Sequence, residues 1–327
     1  MRTPFNSEGA HFHDGGITIN KLRGARQGGF RLPPEKRINN GIAGAFYPPK
    51  EGNPFLGEDV HSHIDFKGGR KTIEVAGISL DLVAAPGETD DQLYCWFPKE
   101  KVIFTGDNFY RSWPNLYAIR GTAYRDIKAW VASLDAMIAE KPVHAVPGHT
   151  LPLIGQKETL EVLQNYRDAI NYIFKETIAG INKGMTPEQL VHSIKLPQEY
   201  ASKDYLKEFY GNVEWSIRAI FEGHLGWFDG NPTSLFSLPP KEEAQKMAQL
   251  AGGEAKLMEQ AMKALNKKEA QWCAQLCDHL LALNPQSSKV KLMKAAALEI
   301  LAENLLTATG RNYYLTVAQE LRQEAKK

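Results

Sequence analysis

Cysteine is scarce in this chain. Three occur in 327 residues, Cys95, Cys273 and Cys277, and none stands in a CxxC pair. That excludes a disulfide framework and a cysteine-built metal cluster. Cys273 and Cys277 are four apart inside a helical pattern, so they are expected as buried positions on one helix face. No apolar run reaches the ~18 residues a membrane span needs. The N-terminal MRTPFNSEGAHFHDGG has no apolar h-region, so no signal peptide is read. A cytoplasmic location is the default, with export of a longer parent protein left open. Excess charge of either sign is also missing: 39 Lys and Arg face 38 Asp and Glu, a net +1. That balance argues against a nucleic-acid partner and against an acidic tail. Hydrophobic residues at 43% and charged residues at 24% are too apolar a mix for disorder, and the length allows two domains with separate cores.

What is present changes character near residue 155. Before it, Gly, Pro and short β-type runs dominate; after it, long 3.6-period patterns continue to the last residue. The stretch 24–54 is rich in Gly, Pro and Asn and reads as loop. Residues 72–84 alternate as a hairpin with a turn at Ala76-Gly77. QLYCWFP and KVIFTGD follow as two short strands around Pro98-Lys99-Glu100. Ile127, Trp130, Val131, Leu134 and Met137 lie at helical spacing within 125–141. VHAVPGHT then reads as a strand ending in a loop. Helices are expected at 157–184, 186–194, 201–226, 240–266, 268–283, 287–304 and 309–325. Thr186-Pro187-Glu188 is a helix start, with Pro at the first helical position. The last three helices suggest stacked antiparallel pairs.

Three residues at strand ends carry the chemistry. Glu88 lies in AAPGETDDQ, Asp107 in IFTGDNF and His149 in AVPGHT, each after an apolar strand and within a Gly-containing turn. A strand end can aim a side chain into a shared cleft. Carboxylates and imidazole are good ligands for a divalent metal such as zinc.

The run PGETDD, a strand pair, FTGDN, a helix and VPGHT resembles the second half of a metallo-β-lactamase domain. Glu88, where the superfamily normally has His, resembles the alkyl sulfatase branch (type III sulfatases). So do NLYAIRG at 115–121, followed by a Trp-bearing helix, and HLGWFDGNP at 224–232, followed by LPP. The resemblance implies an α+β chain. Residues 1–155 would be the C-terminal part of a metallo-β-lactamase-like αββα domain, and 156–327 an all-α dimerisation domain. It implies a zinc-dependent hydrolase of sulfate esters with apolar tails, in which two zinc ions hold a bridging water or hydroxide, and a homodimer. By the same resemblance Glu88 and His149 match ligands of the two metals and Asp107 the bridging carboxylate, in place of the Glu usual in alkyl sulfatases. Asn115 and Arg120 match positions that bind the sulfate; a guanidinium fork suits an oxyanion.

Two departures from the family pattern stand out. Trp215 occupies a place where the family usually has His, and an indole cannot shuttle a proton, which leaves the general acid unassigned. The HxHxDH cluster of the superfamily is not evident. His61, His63 and Asp65 match HxHxD, but Phe66 stands where the last His belongs, and Asp65 is only 23 residues before Glu88. His11 and His13 have the wrong spacing. Two other readings therefore stay open: a catalytically inactive fragment or pseudoenzyme that dimerises through its helices, and a hydrolase of the same superfamily acting on another ester.

Overall fold

The computed structural model describes residues 19–39, 66 and 68–327. His11, His13, His61, His63 and Asp65 lie outside the described residues. The described chain divides into two compact units, one containing 68–227 and the other 20–39 with 228–327.

In the first unit, β1 (Arg70–Val75) and β2 (Ile78–Ala84) form the expected hairpin. Its turn residues, Ala76 and Gly77, both have positive φ, 51° and 78°. That is the two-residue turn whose twist matches the twist of the strands. β3 (Leu93–Phe97), β4 (Val102–Gly106), β5 (His144–Pro147) and β6 (Leu153–Ile154) complete one six-stranded sheet in sequential order. Every neighbouring pair is antiparallel except β4 and β5. A parallel pair needs a crossover, and α2 (Ile127–Ala139) provides it, its start capped by the Asp126 carboxylate accepting from the Ala129 N–H at 3.0 Å. These directions make β2, β4 and β5 parallel to one another, so the loops that follow them open at the same end of the sheet. A second layer of strands, as an αββα sandwich would have, is not among the described residues.

Alternation sets the inward face. Tyr94 and Trp96 on β3, Ile103 and Thr105 on β4, and Ala145 and Pro147 on β5 are buried. Ile127, Trp130, Leu134 and Met137 of α2 join that core, as do Val162, Leu163, Tyr166 and Ile170 of α3 (Gln156–Asn182). α4 (Pro187–Ser193) begins with a full capping box between Thr186 and Gln189. Then come α5 (Gln198–Ala201) and α6 (Val213–Leu225). Ile217, Ile220 and Phe221 of α6 belong to the same core as the sheet.

The continuous helix expected over 201–226 is not formed. Residues 203–212 instead pack along 113–114: the Trp113 N–H donates to the Lys207 carbonyl at 2.8 Å, and the Gly211 N–H to the Trp113 carbonyl at 3.1 Å. A Cβ on Gly211 would lie 1.9 Å from the Pro114 carbonyl oxygen, so only glycine admits this approach.

The second unit holds α1 (Ile19–Gly28, from residue 20 on), α7 (Pro240–Ala251), α8 (Glu254–Asn266), α9 (Ala270–Leu283), α10 (Ser288–Glu303) and α11 (Ala308–Glu324). α9, α10 and α11 pack in sequence, as the stacked pattern suggests. Cys273 and Cys277 are buried on α9. Two expectations are corrected. The single helix over 240–266 is broken at Gly252 and Gly253, whose φ values of 89° and 113° lie in the left-handed region. The stretch 24–28, read as loop, is the end of α1. Its Arg26 forks onto Glu320 of α11 at 2.6 and 3.0 Å, and tertiary contact overrides local composition. No helix among the described residues is long and apolar enough to cross a membrane.

Candidate metal and anion site

The site lies at the sheet end where β2, β4 and β5 finish. β4 ends at Gly106, whose φ of 59° lies in the left-handed region that favours glycine. That turn presents Asp107. The Gly148 N–H donates to the Gly106 carbonyl at 2.9 Å and ties the two parallel strand ends together. A Cβ on Gly148 would sit 2.5 Å from Asp107 Oδ1, so glycine there leaves the carboxylate its room. His149 follows, its Nε2 3.6 Å from Asp107 Oδ2. Asp107 raises the His149 pKa above its usual value, while burial pulls it the other way.

Arg111 holds the loop that carries His149. Its backbone N–H donates to Thr150 Oγ1 at 3.0 Å, and its guanidinium donates to the Leu151 and Pro152 carbonyls at 3.3 Å and to Glu158 at 2.9 Å. Thr150 is held at a φ of 71°, which a β-branched residue adopts only under such constraint.

Glu88 reaches the same end from the loop after β2. Asn108, fully buried beside Asp107, staples that loop: its Nδ2 donates to the Ala85 carbonyl at 2.7 Å and its Oδ1 accepts from the Glu88 N–H at 3.1 Å. Trp130 of α2 donates its indole N–H to the Asn108 carbonyl at 3.0 Å, and Ser133 donates to the Pro86 carbonyl at 2.8 Å. The Glu88 carboxylate meets Arg125, Oε1 to Nη1 at 3.0 Å. Burial pushes the Glu88 carboxyl above its usual pKa, Arg125 pulls it down, and the charges of Asp107 and His149 are close enough to act on it.

Asn115 is buried, its N–H donating to the Tyr110 hydroxyl at 2.6 Å and its carbonyl accepting from Arg125. Tyr110 is buried and packs edge-on against Tyr210, 5.8 Å between ring centroids. Arg120 is half-buried and near enough to Tyr210 for its charge to act on that hydroxyl. Trp215 stands in the first turn of α6, its N–H donating to the Asn212 side chain that caps the helix.

Residues 186–324 match the alkyl sulfatase dimerisation family. A linear primary-alkylsulfatase of Pseudomonas sp. is 36% identical over 249 residues, 76% of this chain. The chain is a homologue of the alkyl sulfatases. An (R)-specific secondary-alkylsulfatase of Pseudomonas sp. is 30% identical over 253 residues. The solved structure of a double mutant of the sec-alkyl sulfatase PisA1, a Pseudomonas protein, matches 94% of this chain with a TM-score of 0.84 at 27% identity. This homologue spans about half the length of the relatives it matches: 47% of the primary-alkylsulfatase, 38% of the (R)-specific enzyme and 49% of PisA1.

Zinc sites of catalytic type use at least three protein ligands. Among the described residues of this alkyl sulfatase homologue, no group of three or more His, Cys, Asp or Glu side chains is arranged to hold a metal ion. Asp107 and His149 are in contact, and Glu88 is engaged by Arg125. The described donors therefore do not, as arranged, fit a zinc centre by themselves. Sequence reasoning did not find Arg125, Asn108 or Arg111. The Asn directly after the Gly-Asp turn was the one local signal available.

Proposed function

We propose that the chain is part of a hydrolase of sulfate esters carrying an apolar tail, zinc-dependent in its full ligand set, with residues 1–155 belonging to the metallo-β-lactamase-like domain and 156–327 to the dimerisation domain of a homodimer. The observation that carries this reading is the Asp107–His149 pair at the shared end of β4 and β5, in a chain homologous to alkylsulfatases. Asp107 and His149 are the metal donors on this reading. Glu88 is the third donor on this reading, through the carboxylate oxygen that Arg125 does not engage, and further ligands would come from outside the described residues. Zinc, when bound, supplies an activated water and neutralises charge on the ester.

The chain's own residues prepare the substrate end. Asn115 and Arg120 are the proposed sulfate anchors, and a guanidinium donates to two sulfate oxygens at once. Asn108 and Arg111 fix the loops that carry Glu88 and His149, so the two loops keep their spacing when a substrate arrives. The inactive, dimerising reading is favoured by one observation, the capture of Glu88 by Arg125.

Calorimetric titration of the full chain with octyl sulfate and with octanol tests the substrate assignment. Saturable binding of octyl sulfate alone, weakened by Arg120→Ala, is expected. Equal responses to both ligands, or an Arg120→Ala variant that binds octyl sulfate as the wild type does, would refute it. Sulfate release in the presence of zinc separates an active hydrolase from an inactive binder.

A further inference from the structure

The six-stranded sheet has two apolar faces, and α2 and α3 pack on one of them. On the other, the register sets Leu82, Cys95, Phe104 and Val146 side by side in one row across β2, β3, β4 and β5. The Phe97 ring lies against Phe104, 5.4 Å between centroids, and Ile154 carries the face onto β6. Phe104 and Ile154 are 43% and 60% exposed, and none of the six belongs to the core of the described residues. A sheet with one wet face alternates apolar in and polar out. β3 (Leu-Tyr-Cys-Trp-Phe) and β4 (Val-Ile-Phe-Thr-Gly) instead carry no charged side chain on either face. That is the composition of strands covered on both sides, and a contiguous apolar surface marks a contact.

The size of the face sets what it can hold. Six strands about 4.8 Å apart, averaging about five residues of 3.3 Å each, present about 500 Å². Two such faces in contact bury about 1,000 Å², the area at which specific interfaces begin. The face is almost free of charge and the chain carries a net +1, so one copy does not repel another.

We propose that this face is where a second copy of the chain docks, sheet against sheet, in a contact additional to any made by the dimerisation family's residues 186–324. Two sheets pack face to face about 10 Å apart with their strands about 30° from parallel. A two-fold axis through the face pairs it with itself. Its area is at the low end for a specific contact, so the pairing forms and dissociates with protein concentration.

Cys95 stands in the middle of the row and reports on the face, because Cys273 and Cys277 are buried. The test is the rate at which a maleimide labels Cys95 in the full chain, from about 1 to about 100 μM protein, a range that brackets weak association. Cys95→Ser gives the background to subtract. The wild-type rate is expected to fall at least about fivefold as concentration rises, by mass action. Phe104→Asp, with folding checked by circular dichroism, is expected to label at the fast rate throughout. Should it not fold, Ile154→Asp takes its place, at a position more exposed still. Phe236→Asp is expected to keep the wild-type concentration dependence, which separates this contact from one through the helices. A wild-type rate that does not change with concentration overturns the proposal. Uniformly slow labelling would mean that other residues of the chain or a co-purified polypeptide cover the face, and uniformly fast labelling that copies leave it open. Concentration dependence that persists in a folded Phe104→Asp or Ile154→Asp, or that vanishes in Phe236→Asp, overturns it as well.

Discussion

His149 Nε2 lies 3.6 Å from Asp107 Oδ2, Asp107 following β4 directly and His149 standing two residues past the parallel neighbour β5. The pair is ionic only while the imidazole is protonated. The Asp107 carboxylate beside it holds the His149 imidazole above its ordinary pKa of about 6.5. A raised folded-state pKa contributes stability that is fully present below the unfolded value and is lost as pH rises through the folded one. The stability difference between wild type and Asp107→Asn should therefore be largest below about pH 6.5 and shrink above the His149 midpoint. Urea unfolding at a series of pH values checks this. A difference that grows with pH would contradict it.

Asn108→Ala removes the two hydrogen bonds that staple the Glu88 loop and strands buried backbone groups of Ala85 and Glu88. A destabilisation of about 2–3 kcal/mol is expected in denaturant unfolding. Hydrogen exchange should accelerate at 85–88 more than in β3. Gly87→Ala attacks the same contact, since its Cβ would lie 2.1 Å from Asn108 Oδ1.

Arg111→Ala removes the two guanidinium bonds to the Leu151 and Pro152 carbonyls and the Glu158 pair. The backbone N–H bond survives the substitution, and the guanidinium is partly solvated, so the loss should be only about 1 kcal/mol. The sharper readout is His149: its midpoint, followed by NMR, should fall toward 6.5 as the loop drifts from Asp107. An unchanged midpoint would show that Arg111 does not position it.

Asn312 is fully buried on α11 and clasps residue 38 from both sides, its Oδ1 accepting from the Ile38 N–H at 2.9 Å and its Nδ2 donating to the Ile38 carbonyl at 2.7 Å. Asn312→Ala should cost about 2 kcal/mol and make 29–39 the first site of limited proteolysis. Arg26→Ala, which removes the fork onto Glu320, should act in the same direction.

Leu235 and Phe236 are exposed in the second unit, Phe236 to 94%. With Leu238 also exposed, they place three large apolar side chains at the surface within four residues of sequence, and contiguous apolar surface marks interfaces. The homodimer read from the dimerisation family implies a dimer mass in light scattering of the full chain, and a shift toward monomer in Phe236→Asp. A wild-type mass that stays monomeric at all concentrations would refute the dimer.

Much of this protein was decided locally. The β1–β2 hairpin follows from period-two alternation around Ala76-Gly77, and the start of α4 from the Thr186-Pro187 cap, because both signals act within a few residues. The strand-end positions of Asp107 and His149 were legible for the same reason: an apolar run followed by a glycine turn. Composition misled where distant contacts outweigh it. Residues 24–28 are helical with α11 beside them, almost three hundred residues later in sequence, and 203–212 hold only a 3-10 turn at Asp204–Leu206 where the chain lies along 113–114 and Gly211 meets the Pro114 carbonyl. The partner of Glu88 was beyond any local signal. Thirty-seven residues separate it from Arg125. Only the packing of the chain between β4 and α2 brings that guanidinium to the carboxylate, and burial, which strengthens the charge between them, exists only once the fold has excluded water.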